Sequence, residues 1–337
     1  MLARRVLLGV SYNDKDISED IAKFVKSFSF NDVMSGEADD VNITLEDRDE
    51  LWSGDWLPDK GAMLDITLGL LNWKGQGTEE LKLGSFQLDE FSTSGPPNEV
   101  SIKGVSVPDN NELRGVDKNR SWEKVKFSAV AKDIADGAGM ELFFDVEDKD
   151  LDRVEQTDES DLACLQKLCS DNGAALKVTD NTIVIFDEWK YEQKDPVNLL
   201  IQGAAPISRK SFKTKLRDTY KACHVKYQES ESAELIEYTF TDPSKKDADG
   251  KTLEVNEQVK SIAEAENLAK KKLREKNCDE VTGTIELMGS FDYMAGNCVE
   301  LKGFHAFDGK YIITKAAHSI GSGYTVSLEI RRCLDGY

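Results

Sequence analysis

From residue 41 to 46, and again from 62 to 70, apolar side chains occupy every second position. Val41, Ile43 and Leu45 alternate with Asn42, Thr44 and Glu46, and Ala62, Leu64, Ile66, Leu68 and Leu70 keep the same step. Successive side chains of an extended chain point to opposite faces, so this period buries one face of a sheet and wets the other. A helix would scatter the same residues around its circumference. Shorter runs of the same kind, 81–83, 86–88 and 100–103, are read as separate short strands. Turn-forming residues stand between the runs, at Asn13-Asp14, Gly75-Gln76-Gly77 and Gly95-Pro96-Pro97. Many short strands joined by polar turns predict a closed barrel or a sandwich over residues 1–115. Trp52 and Trp56 lie in a turn-like stretch between the two best strands, where they are expected to cover the end of a core.

The period changes between 116 and 204. Phe127, Val130, Ala131, Ile134 and Ala138 share one helical face, with Ser128 placed to cap it and Gly137 and Gly139 to stop it. Leu142-Phe143-Phe144 reads as a short strand. A second helix is expected to start near Asp158–Ser160, bury Leu162, Leu165 and Leu168, and stop at Gly173. A hairpin follows, 175–178 and 183–186 around Asp180-Asn181. Together these make a small α/β module.

Residues 205–337 return to alternation, at 220–227, 235–241, 284–287, 299–301, 311–314 and 324–330, with a polar turn at 247–250. One helix interrupts. Ser261 and Glu264 have the spacing of a capping box, and Ile262, Ala265, Ala269 and Leu273 share a face. Its basic end, from Lys270 to Lys276, suits the negative end of the helix dipole and reads as a solvated face. The expected class is mainly β with an α+β insertion: β parts at 1–115 and 205–337 flank the α/β module at 116–204.

Charge narrows the function. There are 43 Lys and Arg against 63 Asp and Glu, a net −20. A field of that sign repels nucleic acid and anionic lipid. The apolar run at residues 6–10 is cut short by Ser11-Tyr12-Asn13-Asp14 and lacks a signal-peptide cleavage site. No stretch approaches the roughly 18 apolar residues of a membrane span, so a soluble protein made in the cytoplasm is expected.

The search for chemistry gives no candidate catalytic, cofactor-binding or metal-binding residue. Six cysteines, at 164, 169, 223, 278, 298 and 333, form no C-x-x-C pair and are expected to be reduced. His224, His305 and His318 form no zinc motif, and phosphate-loop and nucleophile-elbow motifs are absent. Asp148, Asp150, Asp152 and Glu159 follow the spacing of a calcium loop, but Arg153 stands where that loop turns on glycine. A solvated acidic loop leading into a helix cap is the preferred reading.

The order of several short motifs resembles the late control protein D family of phage tails, the baseplate hub proteins. They are Phe28-Ser29-Phe30-Asn31-Asp32, Gly36-Glu37-Ala38-Asp39 leading into 41–47, and then Trp52, Trp56, Pro58 and Gly61. In the middle come Gln156 to Leu162 and Asn172-Gly173. Ala265, Ala269, Ala295 to Val299, Phe307 to Tyr311, His318 and Gly323-Tyr324-Thr325 complete the series. The resemblance covers nearly the whole chain and carries over no catalytic residues. It implies two tube-protein-like β-barrel domains, 1–115 and 205–337, and a homotrimer that joins the hexameric tail tube to a central spike made by a separate protein. Related architecture occurs in type VI secretion spikes. Baseplate wedge proteins are further expected partners, with the tape measure protein as another candidate, and DNA would pass without specific binding. The expected location is the baseplate of a virion or tail-like particle.

Three other readings compete. A tail-associated cell-wall hydrolase would need a Cys–His or metal signature. The hub of a non-contractile tail would share the N-terminal fold. A carbohydrate-binding β protein could stack sugars on Trp52, Trp56 and Trp73 but leaves the α/β module unexplained.

Overall fold

The alternating runs form antiparallel strands with their apolar positions inward. The computed structural model describes residues 3–106, 112–179, 181–228, 235–246 and 249–337. Asp180, Asp247 and Ala248, in two of the expected turns, lie outside the described residues. The chain divides into two units. The first holds Met1–Glu188, Leu287–Ala295 and Lys315–Ser327, and the second holds Trp189–Glu286, Gly296–Thr314 and Leu328–Tyr337.

In the first unit an antiparallel sheet runs in the order Val25–Val33, Asp40–Glu46, Glu99–Val105, Thr78–Ser94, Met63–Leu71, Arg5–Tyr12. Residues 315–320 of the strand Gly309–Ile320 pair with Val25–Val33 at the other edge. Val41, Ile43, Leu45, Leu64, Ile66 and Leu68 meet in one apolar core, as their two-residue period requires. Asn13 and Asp14 both have positive φ, 47° and 66°, as the tightest hairpin turns demand.

The two short runs 81–83 and 86–88 are not separate strands. They belong to the single strand Thr78–Ser94. Ile66 pairs with Gly84 and Thr67 with Lys82, so Leu83 is the extra residue of a β-bulge, and Gly84 beside it has φ 98°. The bulge breaks the alternation, which is why the sequence reads as two pieces.

The α/β module has its own core. Phe127, Val130, Ala131 and Ile134 of helix Phe127–Gly137 pack with Leu165 and Leu168 of helix Asp161–Asn172 and with Ile183 and Ile185. Strand Ala175–Thr179 pairs antiparallel with Thr182–Phe186, and that strand pairs parallel with Glu141–Asp145. Ser160 caps the second helix, and Gly173 ends it in the left-handed conformation, φ 72°. Ser128 does not cap the first helix. Its own N–H and hydroxyl donate to Asp148, at 2.9 Å each, and the Phe127 N–H donates to the Lys149 carbonyl. A distant carboxylate thus satisfies the first turn in place of a local cap. The stretch after Asp148 is no loop either, because Asp150–Ser160 is a strand paired with Asp117–Lys126.

In the second unit, helix Ile262–Asn277 packs on a sheet of Ala222–Gln228, Leu235–Thr241 and Thr252–Val255. Ser261 accepts from the Glu264 N–H, as the capping box predicts, while the Glu264 carboxylate reaches the N–H of Lys260. Ala265, Ala269 and Leu273 are buried, but Ile262 is 62% exposed. Ile262 begins the helix, before the turn that faces the sheet. Strand Asn198–Ile201 pairs parallel with Cys298–Lys302, which pairs antiparallel with residues 309–312. No helix among the described residues is long and apolar enough to cross a membrane.

Candidate functional site

The first unit carries an apolar groove of about 570 Å³. Its floor is the sheet core, from Val10, Ile43, Leu64 and Ile102 among others, and its mouth carries Trp56, Leu57 and Pro58. The two tryptophans divide the role expected of them. Trp52 is buried at 8% exposure, while Trp56 packs edge-on against it at 5.5 Å and stays 47% exposed. The buried indole N–H of Trp52 has no hydrogen-bond partner. Asp47 organises the loop by accepting from the N–H groups of Trp52 and Ser53, at 2.9 and 3.1 Å. The Ser53 hydroxyl, which donates to Asp47 at 2.7 Å, and these N–H groups outweigh the burial of the Asp47 carboxyl and lower its pKa.

Buried ion pairs whose partners no local motif reveals lie elsewhere. In the first unit Lys177 reaches Asp32 and, at 3.1 Å, Asp39. Asp32 also accepts from the Ala295 N–H at 2.7 Å, and Asp39 from the Val33 N–H at 2.9 Å. Burial tends to lower the Lys177 ammonium, but the two carboxylates prevail and raise it. In the second unit Glu192, fully buried, receives Arg274 in a two-pronged contact at 2.6 and 3.2 Å, together with Arg331 and the Leu334 N–H. These partners lie far apart in sequence, 145 residues for Lys177 and Asp32 and 263 for Ala295 and Asp32, so no spacing rule could find them. Both clusters join charge to opposite charge and leave no group poised over an open site.

Two of the three histidines have partners within the fold. His318 lies inside the strand Gly309–Ile320 and is 1% exposed. It stacks on Phe30 and Tyr324 and bonds to the Tyr324 hydroxyl and the Tyr293 carbonyl, at 2.8 and 3.0 Å. Burial lowers its pKa, so the ring is a neutral core residue. His224 bonds to the Thr239 hydroxyl at 2.8 Å. The six cysteines are free thiols, four of them buried, and burial pushes Cys164 up to about 11 and Cys169 to about 12. Asp148, first residue of the calcium-like spacing, accepts from Ser128, and Asp150, Asp152 and Glu159 are spread along the strand Asp150–Ser160 instead of curling in a loop.

The fold is shared with phage tail proteins. A tail protein from Neisseria meningitidis MC58 superposes with a TM-score of 0.72 at 14% identity, covering 98% of this chain and 97% of that one. The 43 kDa tail protein of prophage MuSo2 from Shewanella oneidensis gives 0.70 at 10% identity, covering 96% and 97%. An Escherichia coli protein described as a component of the type VI secretion system, with structural similarity to T4 tail proteins, gives 0.55 at 11% identity, covering all of this chain and 78% of that one. In sequence, the probable baseplate hub proteins of Escherichia phages P2 and 186 are each 29% identical over 171 and 176 residues. Those matches span 49% and 50% of this chain but only 41% and 42% of the two phage proteins. The family described as phage tail baseplate hub (GPD) matches residues 107–324, well over half of the sequence, and the chain belongs to that family.

Proposed function

We propose that this chain is the structural hub at the centre of a contractile tail's baseplate, a homotrimer joining the hexameric tail tube to a central spike. The observation that supports it most is the agreement between a family match over 107–324 and a fold likeness to a tail protein that spans 98% of the chain. In this reading the β-rich parts 1–115 and 205–337 are two tube-like barrels, and the module 116–204 faces the baseplate periphery, where wedge proteins would bind. Three copies then offer six near-equivalent positions around one axis, so a sixfold tube can end on a threefold spike. The net charge of −20 suits a wall past which DNA moves without adhering. The role needs no catalytic residue, cofactor or metal.

A reconstruction of the assembled particle tests this. Three copies between the last tube ring and the spike are expected. Six copies, or a position away from the axis, would overturn it, and a tail without a sheath would favour the non-contractile reading.

A further inference from the structure

Leu216 is 88% exposed, more than any other large apolar residue described. It sits in a turn, Lys215-Leu216-Arg217-Asp218, that is held in shape. The Thr219 hydroxyl donates to the Leu216 carbonyl at 3.0 Å, the Lys215 N–H donates to the Glu280 carbonyl at 2.8 Å, and Asp218 takes a positive φ of 63°. A leucine displayed on a braced polar turn has no stabilising role in its own unit, because its side chain gains nothing from water. Lys213, Lys215 and Arg217 flank it in a chain of net charge −20, with Asp218 beside Arg217 at 3.8 Å.

The first unit carries the complement. The groove of about 570 Å³ is apolar within and has room for a leucine side chain. The short helix Ser18–Ala22 places exposed Glu19 and Asp20 at its rim, beside Lys15 and Lys23.

We infer that Leu216 of one copy seats in the groove mouthed by Trp56 and Leu57 of a second copy, with Lys215 and Arg217 meeting Glu19 and Asp20. Knob and groove are different surfaces, so the contact is heterologous, and in a trimer each copy would both give a knob and receive one. The inference rests on the trimeric reading above and assigns it a contact.

The test uses the full chain. Equal amounts of unlabelled and ¹⁵N-labelled protein are mixed at a concentration where sedimentation detects self-association, and the assembled particle is treated in parallel. A carbodiimide then joins touching amines and carboxylates. Mixed-isotope peptides linking Lys215 to Glu19 or Asp20 are expected. Leu216→Asp, on an exposed turn, should leave the melting curve unchanged and weaken self-association about tenfold or more, as loss of one buried leucine implies. Leu57→Arg, at the groove mouth, should do the same. Self-association that ignores both variants, or links from Glu19 and Asp20 to another tail protein, would overturn the inference while leaving the trimer standing. A wild-type chain that neither self-associates nor cross-links to its own kind in the particle would sink both.

Discussion

Lys177 faces two carboxylates in a nearly sealed space, and the imbalance of charge there has a measurable consequence. Burial, with the neighbouring Asp32, pushes the Asp39 carboxyl from 3.8 up to about 6, against the pull of Lys177. The folded chain therefore holds a proton at Asp39 that the unfolded chain releases near its ordinary value. The stability this proton contributes is complete below that value and is lost as pH rises through about 6. Urea midpoints at about pH 5 and about pH 7.5 should show the wild type weakening on going up, and Asp39→Asn should flatten that difference. Glu192 presents the opposite case, one carboxylate for two arginines. Glu192→Ala leaves Arg274 and Arg331 facing each other without it and should cost about 3–5 kcal/mol, read as a lowered thermal midpoint.

Helix ends and strand breaks follow the same physics one level up. The α/β module shows two ways to satisfy a first helical turn, a local serine and a carboxylate twenty residues away. Ser160→Ala and Asp148→Ala should each cost about 1 kcal/mol in denaturant titrations. Because Asp148 already serves the helix at Phe127, calorimetric titration with calcium should give no stoichiometric heat, and a tight one-to-one site would refute this assignment of Asp148. In helix Ile262–Asn277 the exposed first residue and the buried face separate cleanly. Ile262→Glu should change stability by less than about 0.5 kcal/mol, whereas Leu273→Ala, at a fully buried position, should cost about 2–5 kcal/mol.

Across the whole chain the acidic excess remains after the ion pairs are formed. A gel shift with duplex DNA at about 0.15 M salt should show no retention. The strands at 41–46, 63–71, 99–105 and 324–332 were legible in the sequence because a half-buried sheet imposes a local period of two. The helices stopped where Gly173 and started where Ser160 and Ser261 stand, since caps depend on residues a few places apart. Asp117–Lys126 and Asp150–Ser160, which lack that period and are held by each other, escaped, and Thr78–Ser94 hides behind its bulge. The pairing of Lys177 with Asp32 and Asp39, and of Glu192 with Arg274 and Arg331, was decided only by the tertiary structure, as was the groove beside Trp52 and Trp56. Local pattern determines which face of an element is apolar, because the period of the chain is a property of neighbouring residues. Which distant charges share one buried space depends on how elements fold back on one another, and nothing in their spacing encodes that.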